Sequence, residues 1–348
     1  MNTNSKGQFL DVLQIFRGIA ALMVVIHHSI TSLKYYHNID NHFLDFIGSM
    51  GKFGVDFFFM LSGFIIAYTS YFKYNEPNSF TNYIKNRLIR IYIPYLPVGV
   101  FMLLLYTVLP SFSNSERDIS VLTSLTLIPF GHPALSVAWT LSFELCFYLL
   151  FSISFFSKKG WKYFLFFWML SVVVFNYTEL SNLQLVKNPF CAILFSTYNI
   201  EFVLGYLIAQ LITKKIKFRL FYLVLSFVIS SSFFLYCHYF KIILFKSSIN
   251  LLFSLVTFLV IYTAIVYFNK RMKKNALFML IGNATYSIYL IHNPLQMILI
   301  RFYPKINSLL SIFIVLVLSM SLSSFIGYIY YSIFEKKIMN IVKSKVLK

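Results

Sequence analysis

Residues 10–33 read LDVLQIFRGIAALMVVIHHSITSL. About 20 predominantly apolar residues cross a hydrocarbon core of ~30 Å as a helix, so the length and apolarity of this run assign it to a membrane. It nevertheless contains Arg17, His27 and His28. From Arg17 to His28 a helix turns about 1100°, some 20° beyond three full turns, and rises about 16.5 Å. The two side chains therefore share a face, and His27 points about 100° away. An ionised group at mid-bilayer costs at least ~2.5–3.5 kcal/mol, so basic groups on such a run need a partner or a function. The run ends without a small-residue cleavage site and reads as a retained span, not a signal peptide.

The rest of the chain has the same character. Of its 348 residues 59% are apolar and only 12% charged, with a mean hydropathy of +0.74. Soluble domains carry about 25% charged residues, so a water-exposed surface cannot be assembled from this composition, and a soluble enzyme is excluded. Disorder requires low hydrophobicity. A disulfide scaffold requires more than Cys146, Cys191 and Cys237, each of which lies inside an apolar run. Ten apolar stretches can be drawn, at about 10–33, 53–72, 91–112, 137–157, 161–178, 189–212, 219–240, 248–269, 277–302 and 306–334. Backbone hydrogen bonds must close within each lipid-exposed segment, and the strand-like alternation of a barrel is absent. The expected fold is an all-α polytopic membrane protein of about ten transmembrane helices. Ser157-Lys158-Lys159-Gly160 is expected to close a tight hairpin between the fourth and fifth. With no connecting segment beyond about 25 residues, the whole of 1–348 reads as a single membrane domain.

The net charge of +19 suggests nucleic acid in a soluble protein and topology in a membrane protein. Placing the cations decides between them. Starting inside, only Lys34, Lys52, Arg117, Lys187, Lys241, Lys246, Arg301 and Lys305 fall outside, and the other 22 of the 30 Lys and Arg lie in inner segments. The bias recurs at every inner loop and places both termini in the cytoplasm. The partner of the positive charge is the lipid bilayer, and no nucleic-acid partner is expected.

Against this apolar background the polar residues within spans are informative. Asp56, in Gly54-Val55-Asp56-Phe57-Phe58-Phe59-Met60-Leu61-Ser62-Gly63-Phe64, enters the second span at about the depth of His28; it is read either as a partner of His28 or Lys52 or as a solvated interfacial acid. Ser62 and Gly63 favour close helix packing. Arg87 and Arg90 are i, i+3 neighbours just before a span, suited to bidentate phosphate binding or to simple anchoring. Glu144, in Trp139-Thr140-Leu141-Ser142-Phe143-Glu144, lies one to two turns inside its span, with Tyr148 at i+4; a buried carboxyl there serves as a catalytic acid or base or as a salt-bridge partner. Glu201, the deepest carboxylate, is read as a partner of Arg17 or of a histidine. Glu335 is read as a partner of local cations. In the ninth stretch Tyr286 and Tyr289 share a face, His292 follows at i+3, and Asn293 lies less closely on that face. No pair of residues has zinc-ligand spacing, and no metal site is expected.

These blocks, from Phe16-Arg17-Gly18-Ile19-Ala20-Ala21 and His28 through the Asp56 block, the Arg87/Arg90 pair before Ile91 and Pro94, and Trp139 to Glu144, to Tyr286-Ser287-Ile288-Tyr289-Leu290-Ile291-His292, resemble the acyltransferase-3 family. Its members are integral-membrane O-acyltransferases that typically modify bacterial surface sugars. The resemblance runs in order from about residue 9 to Glu335. It implies ten core helices in the bacterial cytoplasmic (inner) membrane, an acyl-CoA donor, acetyl-CoA above all, reached from the cytoplasm, and an acceptor hydroxyl on a carbohydrate such as an O-antigen or exopolysaccharide. Under the resemblance Arg17 and His28 take the roles of the first-span pair, Arg87 and Arg90 hold donor phosphates, and Glu144 falls on the fourth-span acid. His28 is then the base for the sugar hydroxyl, oriented by Glu144 or Asp56, or else the carrier of a covalent acyl group. Trp139, Ser142, Tyr148, Tyr286, Tyr289 and His292 are expected in supporting or acceptor-side positions. No cofactor is expected to be permanently bound, and the esterase-like domain that some members append is not expected. His27 stands where an apolar or aromatic residue is usual, and Thr140 where serine is frequent. A secondary transporter or flippase of an anion or lipid-linked sugar is the alternative from another class; the paired broken helices and half-to-half similarity that it favours are not evident.

Overall fold

The computed structural model describes residues 3–112, 118–178, 188–245, 247–269, 276–304, 306 and 308–346. The sequence placements of Arg117, Lys187, Lys246, Lys270, Arg271, Lys273, Lys274, Lys305 and Lys348 lie outside these residues. The structure is 83% helical, with no strand among the described residues. Its α-helices are α1 (Thr3–His37), α2 (His42–Lys52), α3 (Gly54–Tyr71), α4 (Ser79–Val108), α5 (Val121–Thr126), α6 (Trp139–Phe151), α7 (Lys158–Tyr177), α8 (Pro189–Leu194), α9 (Tyr198–Thr213), α10 (Leu220–Tyr239), α11 (Ser248–Thr263), α12 (Ala276–Asn283), α13 (Thr285–Arg301), α14 (Leu309–Tyr330) and α15 (Lys336–Val346). Among the described residues eight helical stretches are long and apolar enough to cross a membrane, and the protein is a multi-pass membrane protein.

Those eight coincide with all the expected stretches except the fifth and the ninth, which are helical as well. The fifth is α7, whose apolarity is diluted by Trp161, Lys162, Tyr163, Trp168 and Asn176. The ninth divides at Ala284 into α12 and α13, of 8 and 17 residues. The hairpin between α6 and α7 closes as expected: Ser157 caps α7, its side chain accepting from the Gly160 amide at 2.9 Å.

The segment before the second span differs from its reading as a loop. It is the helix α2, capped by Asn41, whose side chain accepts from the amides of Phe43 and Leu44. The apolar residues Phe43, Leu44, Phe46, Ile47 and Met50 follow helical spacing, a signal hidden by the polar residues around them. Glycines fit α2 and the start of α3 against α1. A Cβ at Gly51 would meet the Met23 carbonyl at 2.5 Å and the His27 amide at 2.9 Å, and one at Gly54 would meet the Ala20 carbonyl at 2.6 Å.

Two compact units divide the chain. The first comprises Met1–Arg17, Val55–Tyr83 and Cys146–Ala276. Within it α3 and α9 touch backbone to backbone: a Cβ at Gly63 would run into the main chain of Phe202, and one at Gly205 into the Met60 carbonyl and the Phe64 amide. This is the small-residue packing expected at Gly63, because lipid supplies no hydrophobic drive between helices and close approach maximises dispersion. Phe202 stacks on Phe59 and on Phe147, with ring centroids 4.6 and 4.5 Å apart.

The second unit comprises Gly18–Gly54, Ile84–Leu145 and Leu277–Lys348. Buried polar side chains tie its helices together. Gln296 of α13 donates to the Val25 carbonyl at 3.1 Å and to Ser29 Oγ at 2.8 Å, and Ser29 Oγ lies 2.9 Å from Ser319 Oγ of α14. Pro94 and Pro97 interrupt the hydrogen-bond ladder of α4. Near these prolines Tyr286 donates to the Ile91 carbonyl at 3.0 Å and Tyr330 to the Pro94 carbonyl at 2.9 Å, which ties α13 and α14 to α4. Between α14 and α15 the chain makes a π-helical turn over Tyr331–Glu335.

If the α3/α9 contact fixes the first unit, Gly205→Val forces the two backbones apart, an overpacking cost of about 1–3 kcal/mol or more. Its apparent melting temperature in detergent should fall well below that of Ala209→Val, one turn along on the same helix.

Candidate active site

The second unit gathers the first-span histidines with α13 and the turn that leads into α6. Asn293 Nδ2 lies 3.1 Å from His28 Nδ1, and Asn293 Oδ1 accepts from Ser136 Oγ at 2.9 Å. His28 is thus held by a carboxamide that a hydroxyl in turn holds, where the sequence pointed to a carboxylate. Two further imidazoles flank it, with ring centroids 5.0 Å (His27) and 5.1 Å (His292) from its own. The flanking rings are bonded to backbone: His27 Nδ1 donates to the Gly48 carbonyl at 2.8 Å, and His292 Nδ1 to the Ile288 carbonyl at 3.2 Å. Both therefore carry hydrogen on Nδ1. His292 Nε2 is buried and has no hydrogen-bond partner. Adjacency along α1 and the reach of a ring bring His27 to His28 despite their 100° separation. Among the described residues no group of three or more His, Cys, Asp or Glu is arranged to hold a metal ion.

Beside the imidazoles Tyr289 Oη is 2.7 Å from Thr140 Oγ1 and donates to the Val137 carbonyl at 3.1 Å. Thr140 supplies the hydroxyl that the frequent serine would. The half-buried Glu144 is close enough to Tyr289 to interact with it electrostatically. Trp139 is partly exposed and packs edge-on against Phe143. Ser142 holds backbone in place, because its Oγ donates at 2.8 Å to the carbonyl of Leu127, a residue at φ 61° that ends α5. The region around α5, which lies between the third and fourth expected stretches, folds on buried hydroxyls. Tyr95 donates to the Ser124 carbonyl at 2.7 Å, and Ser124 Oγ accepts from the Ala134 amide at 2.8 Å. Arg87 and Arg90 sit half-buried on one turn of α4.

Three other expected site residues belong to the first unit. Arg17 donates to Gln14 Oε1 at 3.1 Å, one turn back on α1. Tyr148 is buried, and its carbonyl accepts from Tyr83 at 3.0 Å. Asp56 accepts from Asn250 Nδ2 at 2.8 Å and hydrogen-bonds to Glu201, which also accepts from Ser254 Oγ at 3.3 Å. The partners read from the sequence were His28 or Lys52 for Asp56, and Arg17 or a histidine for Glu201; the structure pairs the two acids with each other. Two carboxyls can bond only with a hydrogen between them, and both are almost completely buried. Asn250 and Ser254 were missed because both read as ordinary polar interruptions of an apolar run.

A family model described as an acyltransferase domain matches residues 10–328, which takes in the His28 cluster, Arg87 and Arg90, and the Asp56–Glu201 pair. The chain belongs to the acyltransferase-3 family. No curated protein and no solved structure matches it. The His28 cluster and the Asp56–Glu201 pair are therefore features of a membrane acyltransferase.

For the acid pair in this acyltransferase, Glu201→Gln keeps a hydrogen to donate to Asp56 and should unfold near the parent temperature. Glu201→Ala strands a buried polar group at a cost of about 1–3 kcal/mol and should melt clearly lower in the same detergent.

Proposed function

We propose that the protein is an O-acetyltransferase that moves an acetyl group from cytoplasmic acetyl-CoA to a hydroxyl of a surface or exported polysaccharide, from the bacterial inner membrane. The observation that carries this reading is the anchoring of His28 by Asn293 and Ser136 inside a family of acyltransferases. A general base needs a free lone pair and a fixed ring. Asn293 meets the second need, and its amide meets the first when turned over: Oδ1 then accepts from His28 Nδ1–H, Nδ2 donates to Ser136 Oγ, and Nε2 is left to take a proton. A carboxamide or carboxylate behind the imidazole does this in hydrolytic triads.

In the proposed reaction His28 Nε2 removes the proton of the sugar hydroxyl, and the oxygen attacks the thioester carbonyl. The new C–O bond forms, the C–S bond breaks, and the imidazolium returns its proton to the coenzyme A sulfur, leaving ester and thiol. Tyr289, beside Thr140 and Glu144, becomes a donor to the carbonyl oxygen as it gains charge when its single O–H turns away from the Val137 carbonyl. Arg87 and Arg90 bind donor phosphates, and Arg17, on the His28 face of α1, serves the donor side. The inner bias of 22 cations supports cytoplasmic termini and a cytoplasmic donor entrance. Asp56 is assigned to the buried pair with Glu201 and not to the imidazole.

Membranes given radiolabelled acetyl-CoA should place label on extracytoplasmic polysaccharide; a transporter would leave none. His28→Ala should lower labelling by about 10²–10⁴-fold, and Asn293→Ala by at least about tenfold, with both variants inserted at parent levels. Full labelling by His28→Ala would end the assignment.

A further inference from the structure

Beyond the matched residues, α15 carries its cations back toward α4. Lys85 Nζ of α4 donates to the Val346 carbonyl at 3.3 Å, which sets the end of α15 beside the turn bearing Arg87 and Arg90. Lys343 of α15 is within electrostatic reach of both arginines and of Glu335. All three cations are half-buried, so water screens them only in part. Glu335 is itself buried and accepts from Ser287 Oγ of α13 at 2.5 Å. Lys343 of α15 thus joins Arg87 and Arg90 of α4 in one cluster of positive side chains, with the Glu335 carboxylate within reach of Lys343.

Like charges gathered in a partly desolvated place repel, and such a cluster is stabilised by a bound anion. A phosphate ester fits: each guanidinium offers a planar fork and the ammonium a point charge. Coenzyme A presents a pyrophosphate and a separate ribose phosphate, more anionic oxygens than two arginines can cover.

We propose that Lys343 is a third phosphate-binding residue of the donor site, delivered to Arg87 and Arg90 by the C-terminal helix α15. The inference rests on the donor reading of Arg87 and Arg90 given above. It makes α15 part of the substrate site and not only a membrane-surface anchor. The π turn over Tyr331–Glu335, fastened to α13 by Ser287, sets where α15 starts.

Binding of coenzyme A and of pantetheine, which lacks the phosphates, to the full chain in vesicles tests this without knowledge of the acceptor. Lys343→Gln should weaken coenzyme A binding roughly tenfold and leave pantetheine binding unchanged, while Lys343→Arg keeps most of the affinity. Equal loss for both ligands means that Lys343 only supports the fold, and overturns the proposal. An effect confined to vesicles with anionic lipid, absent in phosphatidylcholine alone, assigns Lys343 to a lipid headgroup and overturns it as well. If Arg87→Gln and Arg90→Gln lose the preference for coenzyme A but Lys343→Gln keeps it, the donor site stands and Lys343 is not in it. If neither arginine variant distinguishes the two ligands, the donor reading fails and Lys343 falls with it.

Discussion

A polar group taken out of water must find its partner inside the protein, and α13 is where the second unit meets that demand most densely. Between Thr285 and Gln296 the helix carries two tyrosines, a histidine, an asparagine and a glutamine. Tyr286 and Gln296 bond to backbone of α4 and α1, Tyr289 to the turn before α6, and Ser287 to Glu335. An unmade bond of this kind costs about 1–3 kcal/mol, so these contacts fix the position of α13 against four other segments. Asn293 shares that rigid helix, and the anchoring of His28 is a product of the same constraint.

Much of this was legible in the sequence. Helical class and membrane character follow from composition, because no arrangement of 12% charged residues covers a soluble surface. The common face of Arg17 and His28 follows from the periodicity of one continuous helix, α1. Partnerships did not follow. His28 and Asn293 are 265 positions apart, and Asp56 and Asn250 are 194 apart; periodicity reports which face a residue occupies and nothing of what that face meets. Carboxylates were the natural candidates for partners of a histidine or an arginine, since charge attracts charge. In a low-dielectric interior a hydrogen shared between two acids halves the charge that must be buried, and a neutral carboxamide beside a neutral imidazole buries none. The fold around α5 was hidden for a related reason: its serines and threonines look solvated until Tyr95 and Ser142 are seen to close on them.

The three imidazoles differ in what their surroundings permit. His27 and His292 each give an Nδ1 hydrogen to a backbone carbonyl, an acceptor that cannot exchange roles. His28 faces a side-chain amide, which presents a donor at one end and an acceptor at the other. Of the three rings, His28 is the one whose partner can follow a change of tautomer.

The π turn at Tyr331–Glu335 amounts to one residue more than an α-helix needs at that point. Each residue after it lies about 100° behind the place that unbroken α-helical counting from α14 would give it. The angular position of α15 is therefore set by the wider hydrogen bonding of this one turn. The same residues closed as regular α-helix would leave the apolar span unchanged in appearance while turning a different row of side chains toward α4.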